Sequence, residues 1–339
     1  MTMRAAIIGC GKRSAKFAEA CVAVGDVTMV GFADPLDGAA AALAKQFGGK
    51  AFTDTAAMLK QTAPEFVCLV TRPSVRLEPI RLCAEAGVKA LLSEKPMCTS
   101  WGEARAIHAA ATAAGMALSF CHQRRRDPQF LEARRILEAG GIGEVRHIVA
   151  HCDNFYDWGT HWFDMMHYFN GETEAEWVIA QAQRVGPKYV FDQPMDRCGV
   201  AVVRFANGVT GTLQTGDAQA EGCRVRAIGD EGTLWVKDGG VLEVFGAAGK
   251  RTPTLDETAP RGLRAGVGHV IDCHRRGTPS TLNSRNALRA TQLIFATYHS
   301  AMIGQRVPLP LPKDFDLSLT EVFGAGGPDA PATGGPPRA

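Results

Sequence analysis

The stretch "RAAIIGCGKRS", residues 4–14, decides the fold of the amino-terminal part of the chain. Its apolar run predicts a buried strand, after which Gly9 and Gly11 permit a tight turn and the close approach of a pyrophosphate to the backbone. Ser14 stands where a third glycine is common, and it is small enough to let a helix pack closely on the strand. The free N–H groups at the start of that helix favour an anion, so the stretch predicts a phosphate-binding turn.

Strands and helices alternate through the first 121 residues. Further apolar runs occur at "VTMVGFAD", "EFVCLV" and "KALLS", and helical patterns of about 10–15 residues separate them. This alternation is typical of parallel βαβ units that are covered by helices on both faces. We therefore predict an α/β fold that opens with a Rossmann domain, a doubly wound parallel sheet over residues 1–121, which binds NAD(P).

The pattern changes after Cys121. Alternating strands then follow one another without helices between them, and Asn207-Gly208 is a strong signal for a β-hairpin. We expect an α+β domain over residues 122–323, built on a mostly antiparallel sheet, with a late helix that is able to pack back on the first domain. The glycine- and proline-rich residues 324–339 are expected to form a disordered tail.

The composition is that of a globular protein, with 46% apolar and 21% charged residues. A net charge of +2 gives no basis for a nucleic-acid or membrane-surface partner, and no run of about 18 apolar residues occurs. The ten cysteines lie without C-x-x-C spacing and mostly in apolar segments, which favours buried thiols in a reducing compartment. The first strand begins too early to leave room for a signal peptide. These features predict a cytoplasmic protein.

An acidic residue ends the second predicted strand. Asp34 stands twenty residues after Ser14, where a carboxylate suits the ribose hydroxyls of NAD and repels the 2′-phosphate of NADP. Lys12 and Arg13 lie beside the glycines, and either could reach a phosphate, so NADP stays open beside the favoured NAD. The alternatives are a turn role for Asp34 before Pro35 and a solvated helix start for the two basic residues.

A lysine and a proline leave a buried strand in "GVKALLSEKPM", residues 87–97. Following a glycine-loop domain, this stretch resembles the Glu-Lys-Pro signature of the Gfo/Idh/MocA oxidoreductases, the group of glucose–fructose oxidoreductase and inositol dehydrogenase. Three later stretches resemble the start of that family's substrate domain, its second signature and its late helix: "HQRRRDPQFLEARRILEAGGIGEVRHI", "DWGTHWFDMMHYFNG" and "NALRATQLIFATYHSAMIGQRVPLPL". The ordered set covers most of the chain and is specific for the family, whereas it says little about the substrate.

The resemblance implies an NAD(P)-dependent oxidoreductase that moves a hydride between the nicotinamide and a hydroxyl or keto carbon of a sugar, polyol or sugar derivative. It implies that Lys95 is the catalytic acid/base, since oxidising an alcohol requires a base that removes the hydroxyl proton. Pro96 restricts Lys95 to extended backbone conformations and so fixes the direction of its side chain. Glu94 would lie behind the site, bonded to backbone or to the cofactor amide, and the alternative is a solvated charge.

The same resemblance implies that the second domain binds the substrate. Asp157 and His161 would contact the substrate hydroxyls, with His161 holding or relaying the proton that it shares with Lys95. Asp164 would orient them from behind or cap the helix. The ring of Trp158 would suit the C–H face of a sugar, and core packing explains it equally well.

Further contacts follow from the resemblance. Thr71, Arg72 and Pro73 are expected to border the nicotinamide. The family commonly has a histidine shortly after such a turn, and Arg76 stands at its place in "TRPSVR". Arg125 matches a common arginine of the family and could bind a substrate carboxylate. Pairing where the domains join, together with exposed charge, is the favoured explanation of the basic run Gln123–Arg126.

Some residues of the chain raise the question of other sites and functions. His151, Cys152 and Asp153 are adjacent, but neighbouring strand residues face opposite sides, so no metal site is predicted. Two functions stay open beside the dehydrogenase: a redox-neutral glycosidase that uses bound NAD, and a non-catalytic dinucleotide-binding regulator. The antiparallel sheet of the second domain suggests a homo-oligomer that forms through one face of this sheet.

Overall fold

The computed structural model describes residues 2–36, 38–184, 186–216 and 223–324. The chain divides into two compact units. The first consists of Met1–Cys98, Glu103–Asp127 and Asp256–Leu288, and the second of Thr99–Gly102, Pro128–Leu255 and the described residues from Arg289 onward. The predicted disordered tail lies, from residue 325 on, outside the described residues.

The first unit is built on a parallel sheet. Its strands are β1 (Met3–Ile8), β2 (Val27–Ala33), β3 (Lys50–Phe52), β4 (Phe66–Leu69), β5 (Ala90–Ser93) and β6 (Ala117–Phe120). They lie in the order β3-β2-β1-β4-β5-β6, and each neighbouring pair is parallel. The order changes direction between β1 and β4, the switch point at which doubly wound sheets bind ligands beyond the carboxyl ends of their strands. The predicted Rossmann sheet is confirmed.

Helices connect these strands. They are α1 (Ser14–Val24), α2 (Ala39–Phe47), α3 (Thr55–Thr62), α4 (Leu77–Glu85) and α5 (Trp101–Ala113). Phe17 of α1, Phe32 of β2 and Phe66 of β4 are fully buried in one apolar cluster. Burying each such ring stabilises the fold by about 1.5–3 kcal/mol, so the apolar runs of the sequence fix how helices and strands pack.

The second unit is built on a mixed sheet that is mostly antiparallel. Its strands are β7 (Val145–Cys152), β8 (Ala175–Ala182), β11 (Gly199–Phe205), β12 (Thr210–Thr215), β13 (Arg224–Gly229), β14 (Gly232–Lys237), β15 (Val241–Gly246), β16 (Gly249–Arg251) and β17 (Val307–Pro308), while β9 (Lys188–Val190) and β10 (Gln193–Met195) pair separately. Their order is β16-β15-β14-β13-β7-β12-β11-β8-β17. β7 and β12 are parallel, and the other neighbouring pairs are antiparallel. The predicted α+β character is confirmed.

The remaining helices are α6 (Pro128–Glu138), α7 (Gly159–Phe169), α8 (Gly262–Arg276), α9 (Ser284–Ile303) and α10 (Leu319–Phe323). Every residue of α7 is buried, and this helix packs on β7 and β12. The predicted hairpin at Asn207-Gly208 is present between β11 and β12, with Gly208 at φ +87°. Among the helices of the described residues, none is long and apolar enough to cross a membrane.

The division into units differs from the expected boundary between residues 121 and 122. The first unit continues to Asp127 and includes α8, whose Val267 and Ile271 join the buried cluster that contains Phe17. A Cβ at Gly266 of α8 would lie 3.0 Å from the Cβ of Gln123, so the residues after β6 also pack on this helix. The pattern of an amphipathic helix is the same whichever sheet the helix covers, which is why the sequence does not reveal this exchange.

Candidate active site

The glycine loop after β1 is anchored by contacts within the first unit. The Gly9 N–H donates to the carbonyl of Ala33 at 2.8 Å. Gly9 has φ +85°, and a Cβ there would lie 2.8 Å from the carbonyl oxygen of Val70, so the position requires glycine. The Ser14 hydroxyl donates to the Gly9 carbonyl at 2.7 Å, where α1 begins. The loop therefore has one defined backbone path.

Gly11 has a different environment. Among the residues that the structure describes, a Cβ at this position would meet nothing within 4 Å, so its lack of a side chain leaves open space beside the backbone. Lys12 and Arg13 follow as exposed residues at the start of α1. Open space, backbone N–H groups at a helix start and nearby cations fit the pyrophosphate of a dinucleotide.

Asp34 follows β2 and contacts the glycine loop. Its Oδ2 accepts a hydrogen bond from the backbone N–H of Cys10 at 2.6 Å, and its Oδ1 accepts one from that of Leu36 at 2.9 Å. The carboxylate is half-buried and borders a depression of about 430 Å³ that Phe52 also lines. Burial, with the charge of Asp34, raises the pKa of the Cys10 thiol to about 12. Asp34 is thus held in place by backbone donors at the edge of an open depression.

The residues after β4 lie against the glycine loop. A Cβ at Gly9 would lie 2.9 Å from Cγ2 of Thr71, which places Thr71 beside the loop. The Thr71 hydroxyl is buried and makes no hydrogen bond within the described part of the chain. Arg72 is exposed, and Pro73 is buried at the start of a 3-10 turn. A buried hydroxyl beside the phosphate-binding turn is suited to receive a polar group of a ligand.

Glu94 and Lys95 leave β5. Glu94 is 5% exposed, so it is not a solvated charge. Its Oε1 pairs with the guanidinium of Arg13 from the glycine loop, and its Oε2 accepts from the backbone N–H of Lys95 at 2.7 Å. Lys95 is half-buried, and its peptide bond to Pro96 is cis. A single carboxylate therefore connects the glycine loop to the Lys95 turn.

Arg76 is a buried cation next to this turn. Its side chain is 2% exposed and donates to the carbonyls of Thr71 at 2.9 Å, Lys95 at 3.3 Å and Pro96. It thereby links the residues that follow β4 to those that follow β5. The sequence signal was an arginine in place of the family's histidine, but that signal does not tell which groups the side chain contacts.

Arg125 lies in the 3-10 turn Gln123–Arg126 after β6, within the first unit. Its side chain is 1% exposed, and its backbone N–H donates to the carbonyl of His122 at 3.1 Å. A guanidinium with so little exposure requires hydrogen-bonding or charged partners. Arg125 is therefore a built-in part of this turn rather than an exposed charge.

A loop organised by Asn154 carries Asp157 in the second unit. The side-chain Oδ1 of Asn154 accepts hydrogen bonds from the backbone N–H groups of Tyr156 at 3.1 Å, Asp157 at 2.6 Å and Trp158 at 3.3 Å. Its carbonyl accepts from the N–H of Gly159 at 2.8 Å. Asn154 is fully buried, so these bonds fix the backbone that leads from β7 into α7. The sequence signal for this role is weak, because a lone asparagine before a tryptophan-rich motif has many uses.

Asp157 lies two residues before α7, and His161 lies in the first turn of this helix. Their side chains are 6% and 2% exposed. The His161 N–H donates to the carbonyl of Trp158 at 3.0 Å, and Trp158 itself is half-buried. Asp164 is fully buried in the middle of α7, so it does not cap the helix. Asp157, Trp158 and His161 therefore lie close together along the chain, where the loop of the second unit enters α7.

A buried carboxyl group supports the start of this loop. Asp196 Oδ1 accepts from the N–H of Phe155 at 2.9 Å and from the hydroxyl of Tyr298 at 2.7 Å, and its Oδ2 accepts from the hydroxyl of Thr215 at 2.7 Å. Burial raises the pKa of Asp196, and burial together with the Asp196 charge raises that of Tyr298. This network fixes the backbone at Phe155, the residue that follows Asn154.

His167 lies in the core of the second unit. Its Nδ1 is 2.8 Å from the carbonyl of Thr173, and its ring packs edge-on against Phe205. Burial lowers its pKa to about 4, so the ring is neutral at pH 7. In the described ranges, no three His, Cys, Asp or Glu side chains come together in a way that could hold a metal ion.

The predicted site residues fall into two groups. The first unit brings the glycine loop, Thr71, Glu94 and Lys95 to the carboxyl ends of β1, β4 and β5. Asp34 joins this group through its bond to Cys10. Asp157, Trp158 and His161 belong to the second unit.

Known proteins resemble this chain along most of its length. Residues 3–122 match the family model for the oxidoreductase family with an NAD-binding Rossmann fold, and residues 154–235 match that for the GFO/IDH/MocA C-terminal domain. D-apiose dehydrogenase of Paraburkholderia graminis is 26% identical, over 90% of this chain and 89% of that protein. Scyllo-inositol 2-dehydrogenase (NAD+) of Bacillus subtilis is 22% identical, over 92% of this chain and 98% of that protein. A structure of levoglucosan dehydrogenase with NADH and levoglucosan has a TM-score of 0.82 at 19% identity, over 92% of this chain and 100% of that one.

Proposed function

The chain belongs to the Gfo/Idh/MocA family of oxidoreductases, and we propose that it is an NAD-dependent dehydrogenase that oxidises a hydroxyl group of a sugar, polyol or sugar derivative. The observation that carries this proposal is the position of Lys95, which follows β5 at the carboxyl ends of the parallel strands. Glu94 holds the Lys95 backbone and also pairs with Arg13. A candidate acid/base is thereby tied to the loop that is suited to a dinucleotide.

The cofactor would be held by the glycine loop, Thr71 and Asp34. The Asp34 carboxylate supports NAD over NADP, because it can accept hydrogen bonds from ribose hydroxyls and would repel a 2′-phosphate. Arg13 does not reverse this preference, since its guanidinium pairs with Glu94. Arg72 and Pro73 would border the nicotinamide. When bound, the nicotinamide accepts a hydride from the substrate carbon.

Lys95 serves as the base of the proposed reaction. Its neutral amine takes the hydroxyl proton as the C–H bond of the same carbon breaks, so the alcohol becomes a carbonyl. In the reverse direction its ammonium returns a proton to the carbonyl oxygen. Geometry governs such a transfer, and the held backbone of Lys95 limits where the amine can lie.

For Asp157 and His161 we propose hydrogen bonds to the substrate hydroxyls, with the relay from His161 to Lys95 as the family resemblance implies. Both residues are buried, and a site that hydrogen-bonds a substrate hydroxyl discriminates against an analogue that lacks this hydroxyl. Trp158 offers a half-buried ring for the C–H face of a sugar. Arg125 is the candidate partner for a substrate that carries a carboxylate.

Self-association and location complete the proposal. Ile179 of β8 and Val200 of β11 are 43% and 42% exposed. They lie on the same face of the sheet, because Ile179 pairs with Val202 and Val200 is two residues from Val202 on the same strand. Exposed apolar side chains on one sheet face support a homo-oligomer, which light scattering would detect. Most of the cysteines are buried thiols, which supports a cytoplasmic location.

A substrate panel tests the proposed function. The protein is incubated with NAD and, separately, with D-apiose, scyllo-inositol, myo-inositol, levoglucosan and aryl glycosides, while reduced nicotinamide and released aglycone are followed. Net formation of reduced nicotinamide supports the dehydrogenase. Aglycone release without net reduction would indicate the glycosidase, and tight binding of NAD without either product would indicate a regulator.

A further inference from the structure

Arg76 is a cation that the proposed reaction does not use, although it is among the largest fully buried side chains. Burying a guanidinium is costly unless its N–H groups are satisfied, so its place in the fold is specific. We propose that Arg76 is the positioning residue of Lys95, because it holds the Lys95–Pro96 turn against the residues that follow β4. This inference rests on the proposed role of Lys95 as acid/base.

Three carbonyl acceptors of Arg76 belong to two neighbouring strand exits, which are the residues that follow β4 and those that follow β5. Nη1 donates to the carbonyl of Pro96, while Nη2 donates to those of Thr71 at 2.9 Å and Lys95 at 3.3 Å. The backbone ladder between β4 and β5 ends one bond earlier, where the Glu94 N–H donates to the carbonyl of Leu69 at 2.8 Å. Beyond that point, the residues that follow β4 and those that follow β5 are linked by hydrogen bonds from the Arg76 guanidinium.

Lys95 is consequently held at both ends of its backbone. Its N–H donates to Glu94 Oε2 at 2.7 Å, and its carbonyl accepts from Arg76. A displacement of about 1 Å at a reacting group can cost about 100-fold in rate. The two hydrogen bonds therefore restrain the position of Lys95, on which the rate of proton transfer depends strongly. Thr71, the third acceptor, also lies beside Gly9, which extends the same restraint to the glycine loop.

The guanidinium suits this role better than the alternatives at the same place. Arg76 ends a 3-10 turn and precedes α4, so its backbone is fixed on both sides. Its planar fork presents several N–H donors in set directions. A neutral histidine has one N–H donor, and a lysine concentrates its donors on one nitrogen, so neither can reach carbonyls of both exits equally well.

Kinetics of Arg76→Met and Arg76→Lys test the inference. Arg81→Met is the matched control, because Arg81 is exposed on α4, the helix that Arg76 precedes. The assay uses NAD and whichever of D-apiose, scyllo-inositol, myo-inositol and levoglucosan turns over. We expect Arg76→Met to lower kcat about 100-fold while KM for both substrates changes less than about threefold, with a larger deuterium isotope effect and an altered pH profile of kcat. Arg76→Lys should recover part of kcat, and Arg81→Met should match the parent protein.

Hydrogen–deuterium exchange supplies a readout that does not need turnover. The amides of residues 93–95, 97 and 98 should exchange faster in Arg76→Met and, less so, in Arg76→Lys, but not in Arg81→Met. Unchanged exchange, or faster exchange with an unchanged kcat, would overturn the inference. If Arg76→Met does not fold, Arg76→Lys decides: an unaltered kcat and pH profile overturn the inference, whereas a reduced kcat with faster exchange supports it.

Lys95→Ala separates this inference from the function on which it rests. Full turnover of Lys95→Ala would remove Lys95 as the base and with it the need for positioning. An inactive Lys95→Ala beside a fully active Arg76→Met would leave the proposed function standing and overturn the role of Arg76 alone.

Discussion

The carboxylate of Glu94 accepts a hydrogen bond from the backbone N–H of Lys95 at 2.7 Å and pairs at its other oxygen with the guanidinium of Arg13. Glu94 follows β5 and Arg13 precedes α1, with β4 lying between β1 and β5 in the sheet. One buried side chain therefore spans two strand exits. We infer that the position of the proposed base depends on the conformation of the glycine loop.

The two glycines of this loop should respond differently to the same substitution. Gly9→Ala forces a Cβ to within 2.8 Å of the Val70 carbonyl at a positive φ, so we expect the free energy of unfolding to fall by about 1–3 kcal/mol. The methyl group of Gly11→Ala meets no atom of the described residues within 4 Å, so this variant should fold normally. It should nevertheless raise the Kd for NAD at least about 10-fold, because the methyl group occupies the phosphate approach. Urea denaturation and NAD titration distinguish the two. Normal NAD binding by Gly11→Ala would contradict the assignment of this loop.

Removing the charge of Asp34 should change the choice of cofactor. Asp34→Asn keeps an oxygen acceptor for the Cys10 N–H but no longer repels a 2′-phosphate, so the ratio of kcat/KM for NAD to that for NADP should fall about 10-fold or more. Asp26→Asn serves as the control, since Asp26 is an exposed residue before β2. An unaltered ratio in Asp34→Asn would mean that the carboxylate does not meet the ribose.

The sequence reveals the features of the fold that are encoded locally. The apolar runs around Ile7, Phe66 and Leu91 give the parallel strands, and Asn207-Gly208 gives the hairpin between β11 and β12. The resemblance to the family then points to Lys95, which the structure places after β5. Each of these features depends on residues that are close in the chain.

Features that depend on distant contacts could not be read in this way. The role of Arg76 depends on carbonyls about twenty residues away, and the buried Asp196 bonds to Phe155 and Tyr298 from remote segments. The helix α8 belongs to the first unit, although it follows residues Pro128–Leu255 of the second unit in the chain. No local pattern distinguishes such partners, because burial and hydrogen bonding of this kind arise only when the chain is folded.

Asn154 should control substrate binding without affecting the cofactor. Asn154→Ala removes the acceptor of three backbone N–H groups in a buried loop, so we expect the free energy of unfolding to fall by about 2–4 kcal/mol and the substrate KM to rise about 10-fold. Asn154→Asp keeps an acceptor oxygen, so its free energy of unfolding and its substrate KM should change less than those of Asn154→Ala. Isothermal titration with NAD should give the same Kd for all three proteins. A substrate KM that does not move in Asn154→Ala would argue against Asp157 as a substrate contact.

His167 should make stability depend on pH. Its pKa is about 4 in the folded protein and about 6.5 when unfolded, so between these values the unfolded chain binds more protons and stability falls as pH falls. The full difference corresponds to about 3 kcal/mol, lost progressively from about pH 6.5 down to pH 4. His167→Gln should flatten this dependence, as urea denaturation at several pH values would show. Equal slopes for the parent protein and His167→Gln would contradict the buried, neutral state of this ring.

If Lys95 is the acid/base, its loss should slow the hydride-transfer step itself, which single-turnover kinetics of the parent protein and of Lys95→Met measure. Both are mixed with NAD and the best substrate of the panel, after titration has shown that each binds NAD. We expect equal NAD affinity within about threefold and a loss of at least about 1,000-fold in the rate of hydride transfer, which lies in the range expected for a positioned general base. Hydride transfer by Lys95→Met at a rate close to that of the parent protein would show that Lys95 is not the base.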